Sequence, residues 1–69
     1  MYIYQRIHDL REDRDLTQTE IAQQLDTTQT QYSRWERGAQ EIPLHIFIKL
    51  ADFYGVSLDY LAGRSNRRK

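Results

Sequence analysis

At 69 residues the chain is sized for one domain, near the lower limit of what folds without covalent or metal staples. It has no cysteine and only two histidines, His8 and His45, which lie far apart. That excludes a disulfide framework and argues against a metal centre or other cofactor.

Ten basic and ten acidic side chains cancel overall, but unevenly: residues 1–63 carry six basic and ten acidic ones, and residues 64–69 carry four basic ones. Affinity for an anionic partner must therefore come from local arrangement. No apolar run reaches the ~18 residues of a membrane span. Met1 to Asp9 lacks the basic start and long apolar stretch of a secretory leader. The expectation is a soluble, cytoplasmic protein with no membrane contact.

The apolar periodicity is helical throughout. Ile3, Ile7 and Leu10 recur at i, i+4 and i+7 and predict a first helix over about residues 2–14, closed by the charged stretch Arg11–Asp15. Thr17 and Glu20 have the spacing of a capping box, and Leu16 and Ile21 that of a hydrophobic staple. A second helix then runs to about Leu25, with Ile21, Ala22 and Leu25 on one face. After the break at Asp26–Thr28, Thr28 and Gln31 have the spacing of another capping box. The third helix reaches about Arg37, with Tyr32 and Trp35 inward and Gly38 as a left-handed stop. Pro43 suits the first turn of a fourth helix, which carries Phe47, Leu50, Ala51 and Tyr54 and ends at Gly55. Ser57 caps a short fifth helix, stapled by Val56 and Leu61 and ended by Gly63. Residues 64–69 offer nothing to bury and are expected to fray.

Two short, separately capped helices joined by a three-residue break form a helix-turn-helix arrangement. The run from Leu16 to Gly38, including Thr17-Gln-Thr-Glu-Ile-Ala and Trp35-Glu-Arg-Gly38, resembles the phage-repressor and Cro type of helix-turn-helix. Glu41-Ile-Pro-Leu44 and Lys49–Gly63 look like the fourth and fifth helices of small bacterial regulators of that family (the xenobiotic response element type). The resemblance covers about residues 3–63. It implies an all-α, five-helix repressor-like bundle over residues 1–63, and a sequence-specific regulator of transcription, a repressor, not an enzyme. One departure is Asp26, at a turn position where glycine is frequent. Aspartate tolerates left-handed backbone better than most residues.

With Tyr32 and Trp35 inward, Gln29, Thr30, Ser33, Arg34 and Arg37 face outward. Glutamine can pair with adenine, arginine with guanine, and the threonine methyl can touch that of thymine. Gln29, Thr30, Ser33 and Arg34 are thus the candidates for base contact. Gln18, Thr28, Arg37 and Gln40 are the candidates for phosphate contact. The resemblance implies the same roles for Gln18, Gln29, Thr30 and Arg34. It further implies a partly buried ion pair between Arg11 and Glu36, the one acid of the third helix.

Blander readings compete at each position. The polar strip could be an ordinary solvated helix face. Trp35 is better read as core than as a stacking platform, and His8 and His45 as surface residues. Ser57 is better explained as a cap than as a nucleophile, since no oxyanion motif surrounds it. The basic tail is equally a solvated end or a non-specific phosphate contact.

The expected partner is double-stranded DNA, bound by a homodimer on a palindromic site with the fifth helix and Tyr60 as candidate dimer contacts. Two alternatives stand beside this. The chain could be the antitoxin of a toxin–antitoxin pair that also binds DNA, with an unidentified protein partner. Or it could be a protein-interaction module that has kept the fold without DNA binding, as the negative charge of residues 1–63 would suit.

Overall fold

The computed structural model describes residues 4–68. Five helices follow in order: α1 (Gln5–Asp13), α2 (Gln18–Gln24), α3 (Gln29–Glu36), α4 (Leu44–Tyr54) and α5 (Leu58–Leu61). No strand occurs among the described residues. Ile3, the first residue of the expected α1 stripe, lies outside them. Within the described residues α1 has Tyr4 before its first turn and Arg14 after its last.

Each helix closes by the same device. A residue one or two positions past the helix adopts a left-handed conformation, and its own amide and the next fold back onto the last turn, as in a Schellman motif. At the end of α3, Gly38 has φ 78°; its N–H bonds the Trp35 carbonyl at 3.1 Å, and the Ala39 N–H bonds that of Arg34 at 2.9 Å. Gly55 and Gly63 end α4 and α5 in the same way. In α1 and α2 the left-handed position falls to Asp15 (φ 54°) and Asp26 (φ 56°), each with the matching pair of back-bonds. The family resemblance flags Asp26 as a turn position; the charged stretch that closes α1 is expected as a whole, without singling out Asp15 as its left-handed residue.

Helix starts follow the capping pattern with one difference. Thr17 and Glu20 form a complete capping box, with bonds of 3.1 Å and 2.9 Å. Thr28 accepts the Gln31 N–H at 3.1 Å, but the Gln31 side chain turns to Gln40 instead of closing the second box. Pro43 stands one position before the first turn of α4, where its carbonyl accepts the Ile46 and Phe47 amides.

The core gathers Ile7 and Leu10 from α1, Ile21, Ala22 and Leu25 from the α2 segment, and Tyr32 and Trp35 from α3. Ile46, Leu50, Ala51 and Tyr54 of α4 and Leu61 of α5 complete it. On α4, Leu50, Ala51 and Tyr54 are buried as expected, while at the first turn Ile46 is buried and Phe47 only partly so. Arg14 adds a polar tie: its guanidinium donates to the Phe53 and Tyr54 carbonyls at 3.3 and 3.1 Å. A cation at the carboxyl end of α4 also meets the helix dipole favourably.

Residues 64–68 lie against the bundle. From Gly63 the chain turns back, and the Arg64 N–H bonds the Asp59 carbonyl at 2.9 Å. Arg6 Nη1 donates to the Tyr60 carbonyl at 2.9 Å and to that of Ser65. Arg6 Nη2 donates to Asn66 Oδ1 at 2.9 Å. The Ser57 N–H donates to the Arg68 carbonyl, and the guanidiniums of Arg6 and Arg68 lie 4.0 and 5.5 Å from the Tyr60 ring centre. These anchors are backbone carbonyls, one side-chain amide and a ring face, so apolar periodicity gives no sign of them.

Candidate nucleic-acid interface

α2 and α3 pack together more extensively than any other pair of helices. Their junction sets how α3 is presented. Because a helix advances about 100° per residue, burying Tyr32 and Trp35 (0% and 6% exposed) turns Thr30, Ser33 and Arg34 away from the core. Gln29, Thr30, Arg34 and Arg37 are exposed and Ser33 is half-buried. Thr28 and Gln40 are exposed and Gln18 is half-buried. The candidate base-contacting and phosphate-contacting residues therefore fall on one continuous region: α3, its cap, the start of α2 and the loop after α3.

Two side-chain amide bridges brace this region. Gln29 Nε2 donates to Gln18 Oε1 at 2.6 Å, linking a candidate base reader to a candidate phosphate contact across the α2–α3 junction. Gln31 Nε2 donates to Gln40 Oε1 at 2.5 Å, linking α3 to the loop that follows it. Gln31 is absent from the residues singled out by sequence, where its spacing from Thr28 assigned it to a cap.

The one acid of α3 is withdrawn from the exposed face. Glu36 is 1% exposed. Its Oε2 accepts from Arg11 Nε at 2.9 Å, and its Oε1 from Arg11 Nη2 at 3.1 Å, a two-point engagement that a planar guanidinium suits. Arg11 Nη1 also donates to the Leu16 carbonyl at 2.8 Å. The structure thus brings Arg11 and Glu36 together and ties both to the chain entering α2.

His8, read from sequence as a surface residue, is corrected. It is half-buried, with Nδ1 2.9 Å from Glu36 Oε1 and Nε2 against the Glu12 carboxylate. Its place one turn before Arg11 on the same helix face was the available signal. The Tyr32 hydroxyl, buried and without a hydrogen-bond partner of good geometry among the described residues, is still close enough to this carboxylate to help hold its charge.

The electrostatics follow from these contacts. Burial by itself pushes the Glu36 carboxyl up; the bonds from Arg11, the nearby Tyr32 hydroxyl, the His8 contact and the Arg11 charge more than offset it and bring it down to about 2. Arg11 is raised in turn, first by its bond to Glu36. Burial, with the adjacent carboxylate, lifts the Tyr32 phenol above its ordinary range. Among the described residues no group of histidines and acids is placed to hold a metal ion, and no helix is long and apolar enough to cross a membrane.

A short capped helix, a tight left-handed turn and a second helix with an exposed polar face define a helix-turn-helix protein, and the chain belongs to the helix-turn-helix family, whose model matches residues 7–61. It is similar to the cryptic phage CTXphi transcriptional repressor RstR of Vibrio cholerae, 40% identical over 60 residues, covering 87% of this chain and 54% of that one. It is also similar to the uncharacterized HTH-type transcriptional regulator YobD of Bacillus subtilis (strain 168), 32% identical over 59 residues, covering 86% of this chain and 53% of that protein. The chain spans about half the length of these curated relatives.

Proposed function

We propose that the chain binds double-stranded DNA sequence-specifically and acts in the cytoplasm as a regulator of transcription, in the manner of a repressor. α3 enters the major groove, where Gln29, Thr30, Ser33 and Arg34 meet base edges and Gln18, Thr28, Arg37 and Gln40 meet phosphates. The observation that carries this reading is the withdrawal of Glu36: the exposed face of α3 and its C-cap holds amides, hydroxyls and two arginines, Arg34 and Arg37, while the single acid of α3 is buried on Arg11. A merely solvated helix face has no need of that. The names of the similar proteins, a transcriptional repressor and a transcriptional regulator, support it.

The working form is a homodimer on a palindromic site, since one recognition helix reads only a few base pairs. Leu58 of α5 is exposed and available to such a contact. Tyr60 is not, because Arg6 and Arg68 cover its ring. Residues 64–68 hold three arginines whose backbone is anchored, and they add a non-specific attraction for phosphate.

The test is a fluorescence anisotropy titration, across a salt series, on duplexes selected from a random pool. A DNA binder shows log affinity falling linearly with log salt, with a slope near −0.9 per neutralised phosphate, and a selected sequence preferred over random duplex. Negligible affinity for every duplex would overturn the reading and favour a protein-interaction module.

A further inference from the structure

We infer that Gln31 is a positioning residue for phosphate contact, orienting the Gln40 side chain so that only hydrogen-bond donors face the DNA. The inference rests on the DNA-binding reading above and extends it to a residue outside the expected site.

A glutamine side chain carries one acceptor oxygen and one NH2 group with two donors. Left free, the exposed Gln40 amide would turn either end outward. Gln31 removes that freedom by donating its Nε2 to Gln40 Oε1 at 2.5 Å. The acceptor end of Gln40 is then held toward α3 and its NH2 is left to face outward. Two donors without an acceptor suit an anionic oxygen and do not suit a solvent-neutral or donor-rich partner. The base of Gln40 is fixed as well: its backbone N–H and that of Ala39 both fold onto the Arg34 carbonyl, at 3.3 and 2.9 Å. The amide is therefore carried by the closed end of α3 itself rather than by a free loop.

The placement matches the other bridge. Gln29 and Gln31 lie two residues apart on α3, so their side chains leave the helix about 200° apart. Gln29 donates to Gln18 Oε1 as Gln31 donates to Gln40 Oε1. Each bridge spends the acceptor of the outer glutamine and frees its NH2. The two freed NH2 groups stand on opposite flanks of the amino-terminal half of α3, with exposed Thr30 between them. A helix lying in the major groove has a sugar–phosphate strand on each flank, so the arrangement offers one oriented donor pair to each strand.

The experiment measures anisotropy of the full chain on its selected duplex for wild type, Gln31→Ala, Gln40→Ala and the double variant. A second wild-type and variant series uses duplexes in which single phosphates are replaced by neutral methylphosphonates. Gln31→Ala and Gln40→Ala are each expected to weaken binding by about 2- to 12-fold, the range of one hydrogen bond, with the double variant no weaker than either single. One methylphosphonate position is expected to penalise wild type and to lose that penalty in both variants. Gln31→Glu, whose carboxylate would instead accept from the Gln40 NH2, is expected to abolish the same contact while thermal melting stays unchanged.

Additive losses, or a methylphosphonate profile identical in wild type and Gln31→Ala, would overturn the positioning role. A purely structural brace would lower the melting temperature without touching that profile. If wild type bound no duplex at all, the DNA-binding reading would itself have failed, and the positioning role with it; wild-type binding with an unchanged profile would overturn the positioning role alone.

Discussion

Breaking the Arg11–Glu36 joint should be far more damaging than removing a surface ion pair, and should do so in a pH-dependent way. The carboxyl of Glu36 is brought from an ordinary 4.5 to about 2 in the fold; at 1.36 kcal/mol per unit this is about 3 kcal/mol favouring the folded, charged form. No screening discount applies, because Glu36 is only 1% exposed. The folded value lies below the ordinary one, so the contribution is complete above about pH 5, declines as pH falls through 4.5, and is gone below about 2.

Arg11→Met leaves the Glu36 charge buried, with the His8 ring beside it. Glu36→Leu leaves the Arg11 guanidinium with the Leu16 carbonyl and the edge of the His8 ring. Each single variant should cost on the order of 3–5 kcal/mol, most of what a small domain has. The double variant removes both charges and should recover much of that. Recovery stays incomplete, because the Leu16 carbonyl and the His8 ring lose partners, at about 1 kcal/mol each.

Denaturant unfolding of the four proteins, repeated from pH 7 to pH 2, is the measurement. Glu36→Gln should flatten the acid limb of stability seen in wild type. Small additive losses from both singles, or an acid limb unchanged by Glu36→Gln, would refute the coupling argument.

Arg34→Ala is expected to weaken binding to the preferred site by roughly 1–3 kcal/mol and to relax specificity at one base position; an equal loss on every sequence would assign Arg34 to phosphate. Gln18→Ala should weaken specific and random duplex alike, with an added loss at the base read by Gln29, whose amide it braces; undiminished binding to random duplex would refute the phosphate role. Tyr54→Phe removes a buried hydroxyl that has no hydrogen-bond partner among the described residues. It should be neutral or stabilising by up to about 1 kcal/mol, a rise of up to about 4–8 °C in melting temperature, and a clear drop would reveal a partner for that hydroxyl. Truncation after Gly63 should keep the helical circular dichroism, cost about 1 kcal/mol through loss of the Arg6 bonds, and reduce DNA affinity mainly at low salt; a loss of cooperative unfolding would show that the tail is part of the core.

Most of the architecture is legible in the chain because it is written in local terms. Capping threonines, stop glycines and a 3.6-residue apolar period all act within a few residues of one another. They place the five helices to within a few residues and set which face of α3 turns outward. The outward strip of Gln29, Thr30, Ser33 and Arg34 follows from that face alone. Asp26 is legible through the resemblance, which places it at a turn position where glycine is frequent, a position aspartate tolerates. Asp15 adopts the same conformation but is one of five consecutive charged residues, none of which the sequence marks as the left-handed one.

What tertiary structure alone decided is polar and long-range. Gln31 could close its cap or reach Gln40, and both are good hydrogen bonds; the fold of the loop after α3 brings Gln40 within 2.5 Å and settles the choice. His8 reads as a surface residue until α1 packs on α3 and places it beside Glu36. The tail has no apolar pattern, and its docking depends on Arg6, more than fifty residues away, meeting backbone carbonyls that every residue possesses. Hydrophobic burial leaves a periodic trace because it selects residue types along a helix. A hydrogen bond between distant partners selects a position in space, and a single sequence carries no record of that position until the chain is folded.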